Sequence, residues 1–530
     1  MRRRAPLGAA LIILTCAVLG GVWGPRARAA SGPEDDLRES IRTFAKVYHL
    51  VEENFADPVS ADTAIYNGAI PGMLHGLDPH SQFFDPDQFS GLREEQEGRY
   101  AGVGMQVTTR NRQTVVMFPF PRTPAFRAGI RPGDVILKVD GESTLNLDST
   151  AVAKRLRGEK GTAVEITLGR EGRDKPIEVS VVRDEIPRKS VPLAFFLKPG
   201  IAYVKIEGFS ETTGQEVGDA LKSLNPGNFK GLVLDLRDNR GGLLSEAVAV
   251  SDKFLKRGQI VVSHHGRASA DHPYRALHGN GGRNYPMVVM VNCESASAAE
   301  IVAGALQDHD RALIAGSSTF GKGLVQTEYP LNHNAGLLLT TARYYTPSGR
   351  LIQRAYNNIS LYEYYSDPCR GTHRINAKLE AKMTDSGRTV YGGDGITPDV
   401  RLPQHSPNRF QNELVRRYAF FAYSQHYFAV HDTLPPHWEP DEAAVDDFRQ
   451  FLYKEKISFT ETDFAENLNY VKRFLKRQLY ISAFDLDEGE KVRVEGDVDV
   501  QAAVDLLPKA QQLTEQAQKL IAQRAGGKAM

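Results

Sequence analysis

Met287-Val288-Val289-Met290-Val291-Asn292-Cys293-Glu294-Ser295-Ala296-Ser297-Ala298-Ala299-Glu300-Ile301 is the stretch whose reading decides the architecture. The unbroken apolar run 287–291 is the pattern of a strand covered on both faces. A polar break follows, and a helix is expected from Ala296 to Gln307. Working outward, Gly231-Leu232-Val233-Leu234-Asp235-Leu236 is a second buried-strand pattern, ending in Arg237-Asp238-Asn239-Arg240-Gly241-Gly242. A helix is expected from Ser245 to Leu255, and a short third strand from Leu313 to Gly316, ahead of Gly321-Lys322-Gly323. Strands alternating with helices in this way pack helices on a largely parallel or mixed sheet. Residues 200–345 are therefore expected to form an α/β core.

On the amino-terminal side the pattern changes. From about 97 to 185 it consists of short β segments with glycine turns; Val103–Val107 and Thr114–Phe118 are expected to pair. Residues 36–76 carry Leu37, Ile41, Phe44, Val47 and Tyr48, then Ile70, Met73 and Leu74, at helical spacing. Asp78-Pro79-His80-Ser81 breaks that run, and His80 reads as a turn residue. After Gly393-Asp394-Gly395-Ile396-Thr397-Pro398-Asp399 the chain turns aromatic and charged over 408–480. It ends in an amphipathic helix expected from Val498 to Ala522, and these helices are expected to pack as core.

The chain has 530 residues, 25% charged and 41% hydrophobic, with as many basic as acidic residues. That balance speaks against long disorder and against a nucleic-acid-binding field. Three cysteines exclude a disulfide-dense scaffold. Arg2, Arg3 and Arg4 precede an uncharged apolar stretch to Gly24, and Ala27-Arg28-Ala29 fits a cleavage site, so residues 1–29 read as a signal peptide. The protein is then exported, to the periplasm or cell envelope, or is membrane-anchored if the segment is not cleaved. Of the remaining cysteines, Cys293 lies in an apolar strand pattern and is expected as a buried thiol rather than a partner for Cys369.

Several sites are dismissed on the residues. No H-E-x-x-H or Cys/His cluster supports a zinc hydrolase, and no G-x-S-x-G elbow supports an α/β-hydrolase. Gly316–Gly323 matches a P-loop up to Lys322 but lacks the following Ser or Thr. A serine at the start of a helix lies near unpaired N–H groups and a positive dipole end, a setting that favours a developing anion. The plainer alternative is an N-cap serine.

Pro124-Ala125-Phe126-Arg127-Ala128-Gly129-Ile130-Arg131-Pro132-Gly133-Asp134-Val135-Ile136-Leu137-Lys138-Val139-Asp140-Gly141 resembles a PDZ domain. The resemblance implies that Gly102-Val103-Gly104-Met105 offers backbone N–H groups to a peptide's terminal carboxylate, and that the peptide binds by strand addition. The serine stretch, Asp235-Leu236-Arg237, Thr319–Gln326, Tyr345-Thr346-Pro347-Ser348-Gly349 and Gly395–Asp399 together resemble the carboxyl-terminal processing peptidases, or tail-specific proteases, over roughly residues 36–400.

That resemblance implies a crotonase-like, mixed-sheet α/β protease core (190–404) with an inserted β-rich PDZ domain (97–185). A helical amino-terminal region (36–90) and a helical carboxyl-terminal region (405–530) flank them. It places the nucleophile on Ser297, the general base on Lys322, the orienting amide on Gln326, and the oxyanion-hole N–H groups on Gly242 and Ala298. Gln326, four residues after Lys322, is expected to reach the amine on a helix or tight turn. The family often has serine where this chain has Ala299.

The physics suits these roles. A neutral lysine activates serine only if burial lowers its pKa from about 10.4, and an amide orients it without adding charge. No cofactor or metal is implied. The expected partners are polypeptides with free carboxyl ends. An activator or adaptor protein and homo-oligomerisation through 405–530 stay open, as does the rival reading of an inactive PDZ peptide-binding scaffold. A Ser-His esterase is the remaining rival.

Overall fold

The computed structural model describes residues 33–357, 359–366, 369, 379–403, 406–435 and 437–527. The expected signal peptide, residues 1–29, lies outside them. Two compact units divide the chain after Leu77. In the first, α1 (Pro33–Asn54) is followed by a π-helical segment, Asp62–Ala69, and α2 (Ile70–His75). Leu37, Ile41, Phe44 and Val47 fall on one helix as their spacing predicts, but they are exposed.

The second unit begins with β1 (Gln82–Phe84) and α3 (Pro86–Glu97). Asp85 caps α3 by accepting the Gln88 N–H at 2.8 Å. The PDZ module follows: β2 (Arg99–Gly102), β3 (Met105–Arg110), β4 (Gln113–Pro119), α4 (Pro124–Arg127), β5 (Val135–Val139), β6 (Glu142–Ser143), α5 (Ser149–Leu156), β7 (Ala163–Gly169), β8 (Ile177–Val182) and β9 (Asp184–Pro187). Its antiparallel sheet runs β3-β4-β5-β7-β8, with β6 paired to β5. β3 is thus an edge strand, and α5 packs beside it. Val116, Ile136, Val152, Ile166 and Leu168 fill the module's core, and β2 pairs with β9 at its base.

The core comprises β10 (Leu193–Lys198), β11 (Ile201–Lys205), α6 (Thr213–Ser223), β12 (Gly231–Asp235), α7 (Leu244–Asp252), β13 (Ile260–Gly266), β14 (Ser269–Arg275), β15 (Met287–Val291), α8 (Ala298–Asp308), β16 (Leu313–Gly316), β17 (Leu324–Pro330), β18 (Gly336–Tyr345), α9 (Leu361–Ser366), β19 (Glu380–Met383), β20 (Thr389–Gly392) and β21 (Val400–Arg401). The main sheet is ordered β10-β11-β12-β15-β16-β21. Only β10 runs antiparallel to its neighbour. A second sheet joins β13, β14, β17 and β18 to β1, whose Gln82 faces Leu338. The segment before the PDZ module is therefore woven into the protease core.

Eight helices close the described chain: α10 (Arg409–Arg416), α11 (Ala419–Val430), α12 (Glu442–Lys454), α13 (Glu461–Glu466), α14 (Leu468–Ala483), α15 (Leu486–Glu495), α16 (Val498–Asp505) and α17 (Leu507–Gly527). The single helix expected from Val498 to Ala522 is two. Pro508 sits in the first turn of α17, where its missing N–H is tolerated; inside a continuous helix it would break a hydrogen bond.

These helices explain why the central strands are apolar throughout. Leu232, Leu234, Met287, Val289 and Val291 face a cluster built with α6, α7 and α8. The alternate residues Val233, Val288 and Met290 pack with Val500, Ala503, Val504 and Leu507 of α16 and α17. Helices α15 to α17 thus form the second layer over the protease sheet, while α10 to α14 pack on one another around Phe420, Phe448 and Leu475. At about 25 cal/mol per Å² of buried apolar surface, that covering stabilises the fold.

Cys293 and Cys369 form a disulfide, which overturns the expectation of a buried thiol. Cys293 lies just beyond β15 rather than within it, so its side chain reaches the segment after α9. Among the described residues no helix is long and apolar enough to cross a membrane.

Candidate active site

Ser297 stands between β15 and α8 with φ 54° and ψ −114°. A non-glycine residue is strained in such a conformation, and strain of this kind collects at functional sites. Its neighbour Ser295 is buried, donates its hydroxyl to the Leu236 carbonyl at 2.7 Å and accepts the Asn292 N–H at 2.9 Å. Ser295 is thereby committed to holding the loop, whereas Ser297 lines the adjoining cleft of about 790 Å³, as do Ser190 and Ser210.

Gly241 and Gly242 pass under Ser297. A Cβ on Gly241 would lie 2.7 Å from the Ser297 Cβ, and one on Gly242 would lie 2.2 Å from the Phe209 carbonyl oxygen. Gly242 has φ +138°, and no larger residue fits there without moving the loop. The Phe209 N–H donates to the Gly241 carbonyl and the Leu243 N–H donates to the Phe209 carbonyl, so the intervening Gly242 N–H faces away from Phe209. Among the described residues neither the Gly242 nor the Ala298 N–H has an acceptor, and both residues line the cleft.

Lys322 reaches the same cleft from the loop before β17. Its Nζ donates to Gln326 Oε1 at 2.7 Å, and Gln326 Nε2 donates to the His80 carbonyl at 2.7 Å. Gln326 lies on strand β17, with a register shift beside it, and not on the expected helix or tight turn. Burial pulls the Lys322 ammonium below the ordinary lysine value, while the Glu300 and Asp78 carboxylates oppose that fall. Ser297 and Lys322 are not hydrogen-bonded to each other; such bonds are often long before substrate binds.

The backbones of these two residues are pinned together twice. Glu300 Oε2 accepts the N–H of Ser297 at 2.8 Å and that of Lys322 at 2.9 Å. Glu300 Oε1 accepts the Gly321 N–H at 2.7 Å and the Thr319 hydroxyl at 2.5 Å. Burial pushes the Glu300 carboxyl up to about 7, although Thr319, Lys322, Gly321 and Ser297 all donate to the ionised form. From the other side the Tyr344 hydroxyl contacts both carbonyls, that of Ser297 at 3.0 Å and that of Lys322.

The turn at Asp78 supplies the last support. Its carboxylate accepts the N–H groups of His80 and Ser81 at 2.7 and 2.8 Å, which fixes the carbonyl that holds Gln326. The His80 ring is clamped by the Tyr364 and Tyr365 hydroxyls at 3.0 and 3.1 Å. Burial and the nearby Lys322 lower His80 to about 3, so it is neutral. His80 is a turn residue, as expected, but one that touches the machinery.

Sequence reasoning did not find Glu300, Tyr344 or this role of His80. Only Glu300 left a trace, because Ser297-x-x-Glu300 has the capping-box spacing.

The PDZ residues lie apart from this cluster. Gly104 has φ +80°, and a Cβ there would lie 2.4 Å from that of Thr123. Among the described residues the N–H groups of Val103 and Gly104 have no acceptor, and Met105 starts the edge strand β3. Both connections to the module reach the cleft: Glu95 and Gln96 on one side, Arg188, Lys189 and Ser190 on the other.

Peptidase family S41 matches residues 200–359, and a PDZ domain matches 101–181. The carboxy-terminal-processing protease of Bartonella bacilliformis is 39% identical over 325 residues, 60% of this chain and 74% of the relative. The chain belongs to the carboxy-terminal processing proteases of peptidase family S41.

A relative from Picosynechococcus, a carboxyl-terminal-processing protease, is 34% identical over 365 residues, 66% of this chain and 87% of its own. Carboxy-terminal processing protease CtpA of Bacillus subtilis is 34% identical over 310 residues, 58% of this chain and 66% of its own. This S41 protein is a serine-type peptidase with a PDZ domain and a mixed α/β core.

Proposed function

We propose that this S41 peptidase captures the free carboxyl end of a polypeptide on its PDZ module and cuts near that end by acyl transfer through Ser297. Lys322, neutral once desolvated, takes the Ser297 proton as the hydroxyl attacks the scissile carbonyl. Gln326, held by the His80 carbonyl, keeps the amine aimed. The N–H groups of Gly242 and Ala298 receive the oxyanion; losing one such donor typically costs about 100–1,000-fold in turnover. Lys322 then returns the proton to the leaving amine, and water hydrolyses the ester by the same route.

The observation that carries this reading is the double pinning of Ser297 and Lys322, through Glu300 and Tyr344, beside two N–H groups with no acceptor among the described residues. An inactive scaffold would have no reason to tie the backbone of a strained serine to that of a buried lysine.

Carboxylate capture falls to Gly102, Val103, Gly104 and Met105, with the peptide extending along the free edge of β3 beside α5. Because both linkers line the cleft, movement of the module on binding a tail would move the cleft walls. The Cys293–Cys369 disulfide supports an exported enzyme in an oxidising compartment, the periplasm or cell envelope. Helices α15 to α17 bury one face on the sheet and α10 to α14 pack on one another, which leaves the outer surface of this region for any activator or second copy.

The test compares the protein with Ser297→Ala and Lys322→Ala on an unstructured substrate bearing a free or an amidated carboxyl end, read by product mass spectrometry. Cleavage by the parent alone, and much slower on the amidated form, is expected. Cleavage by either variant would refute the dyad; equal cleavage of both ends would refute tail capture.

A further inference from the structure

The loop Arg237–Gly242, which brings the Gly242 N–H beneath Ser297, is anchored along its length. Asn239 is fully buried; its side chain donates to the Ile206 carbonyl at 2.9 Å and accepts the Gly241 N–H at 2.8 Å. Its carbonyl accepts the Ala296 N–H at 2.9 Å, tying the loop to the serine turn. The entrance to the loop is held electrostatically. Arg237 donates to Asp235 at 2.7 Å, and the Lys205 amine donates to the Arg237 carbonyl. Asp235 is almost fully buried and also accepts the Tyr203 hydroxyl at 2.8 Å.

A further partner comes from 260 residues away in sequence. Asp497, at the start of α16, accepts Arg237 Nη2 at 2.9 Å through Oδ2, while Asp499 lies 3.5 Å from Nη1. The other oxygen of Asp497 caps α16, accepting the N–H groups of Asp499 and Val500 at 2.9 and 3.4 Å. The helix behind this cap is fixed, because Val500 and Ala503 are fully buried against the protease sheet. Arg237 is thus gripped between a carboxylate of the sheet and one on the layer that covers it. An ion pair shielded to this degree is screened little and its geometry is well defined.

We propose that Asp497 is a positioning residue of the peptidase. By holding Arg237 it sets the loop that presents the Gly242 N–H, and this makes the carboxyl-terminal helices part of the catalytic unit. The proposal rests on the reading of Gly242 as an oxyanion donor. It accounts for an N-cap carboxylate that faces an arginine when serine or threonine would cap equally well.

Asp497→Asn tests it in the full-length protein. Asparagine caps a helix as well as aspartate does, but it turns an NH2 group or a neutral oxygen toward Arg237. Turnover is expected to fall about 10–100-fold, less than for outright loss of a donor, with KM within about twofold and an unchanged melting temperature. Affinity for a peptide aldehyde, whose bound hemiacetal carries an oxyanion, should fall by the same factor. Binding of the cleaved product peptide should not change. Asp497→Glu, which keeps the charge, should restore most of the turnover.

Unchanged turnover and aldehyde affinity in folded Asp497→Asn would overturn the proposal and leave α16 as a cover for the sheet. So would equal losses in turnover, product binding and melting temperature. Ser297→Ala, run in parallel, separates the two readings: if it abolishes cleavage while Asp497→Asn has no effect, only the positioning role is lost.

Discussion

Replacing Glu300 by glutamine exchanges one carboxylate oxygen for an NH2 group at a site where four donors converge: the N–H groups of Ser297, Lys322 and Gly321 and the Thr319 hydroxyl. Thr319 Oγ1 already accepts the Ile396 N–H at 2.6 Å, so its proton is committed to Glu300. In either amide orientation two donors then face another donor. Each buried donor left unsatisfied costs about 1–3 kcal/mol, hence about 2–6 kcal/mol for two. Against this stands relief from burying a charge. The rise of the Glu300 carboxyl from 4.5 to about 7 corresponds to about 3 kcal/mol.

The two terms largely offset, and the variant is expected to fold. Turnover should not survive, because Ser297 and Lys322 share one oxygen of Glu300 and a shift of about 1 Å between them costs about 100-fold. Glu300 also raises Lys322, so the acid limb of the pH–rate profile should move to lower pH in the variant.

Stability gives a third readout. Because the folded-state pKa of Glu300 is raised, its contribution is fully present below about 4.5 and is lost as pH rises through about 7. Denaturant titrations at pH 5 and 8 should show a fall in the parent that the variant lacks. A folded Glu300→Gln with parental turnover and an unmoved acid limb would refute the role assigned to this carboxylate.

Three further outcomes are expected. Gly242→Ala places a Cβ 2.2 Å from the Phe209 carbonyl oxygen and should lower turnover about 100–1,000-fold through a displaced donor; steady-state kinetics on the folded variant checks this. Cys369→Ser opens a link between residues 76 apart and should cost about 2–5 kcal/mol; reductant should lower the melting temperature of the parent and not of the variant. Asp78→Asn removes a charge that raises Lys322, so the acid limb should move to lower pH, while the loosened His80 carbonyl lowers the plateau; a pH–rate profile separates the two effects.

Much of the protease core was legible because its strands are short, apolar on both faces and followed by periodic helices. Leu232 to Leu234 and Met287 to Val291 could only be buried strands, and they are. The PDZ turns were legible because glycine and Asp-Gly mark backbone conformations that few other residues adopt; Asp140 and Gly141 both have positive φ. The reading failed where a side chain's meaning depends on a distant segment. Cys293 resembled a core thiol until Cys369 was placed beside it. The helix expected across Leu506 ignored a proline at position 508.

The sequence alone determined the elements: which segments are strands and helices, the family resemblance, and the residue types available for acyl transfer. It did so because periodicity and turn chemistry are local, and because motifs in order identify a family. Only the tertiary structure decided how those residues are held. Glu300 and Tyr344 pin Ser297 to Lys322, His80 offers a carbonyl to Gln326 across 246 positions, and Asp497 reaches Arg237 across 260. The Glu300 contact with Ser297 is local, but those of Glu300 and Tyr344 with the Lys322 loop, of His80 with Gln326 and of Asp497 with Arg237 join segments that only the folded chain brings together. No local pattern records such a meeting.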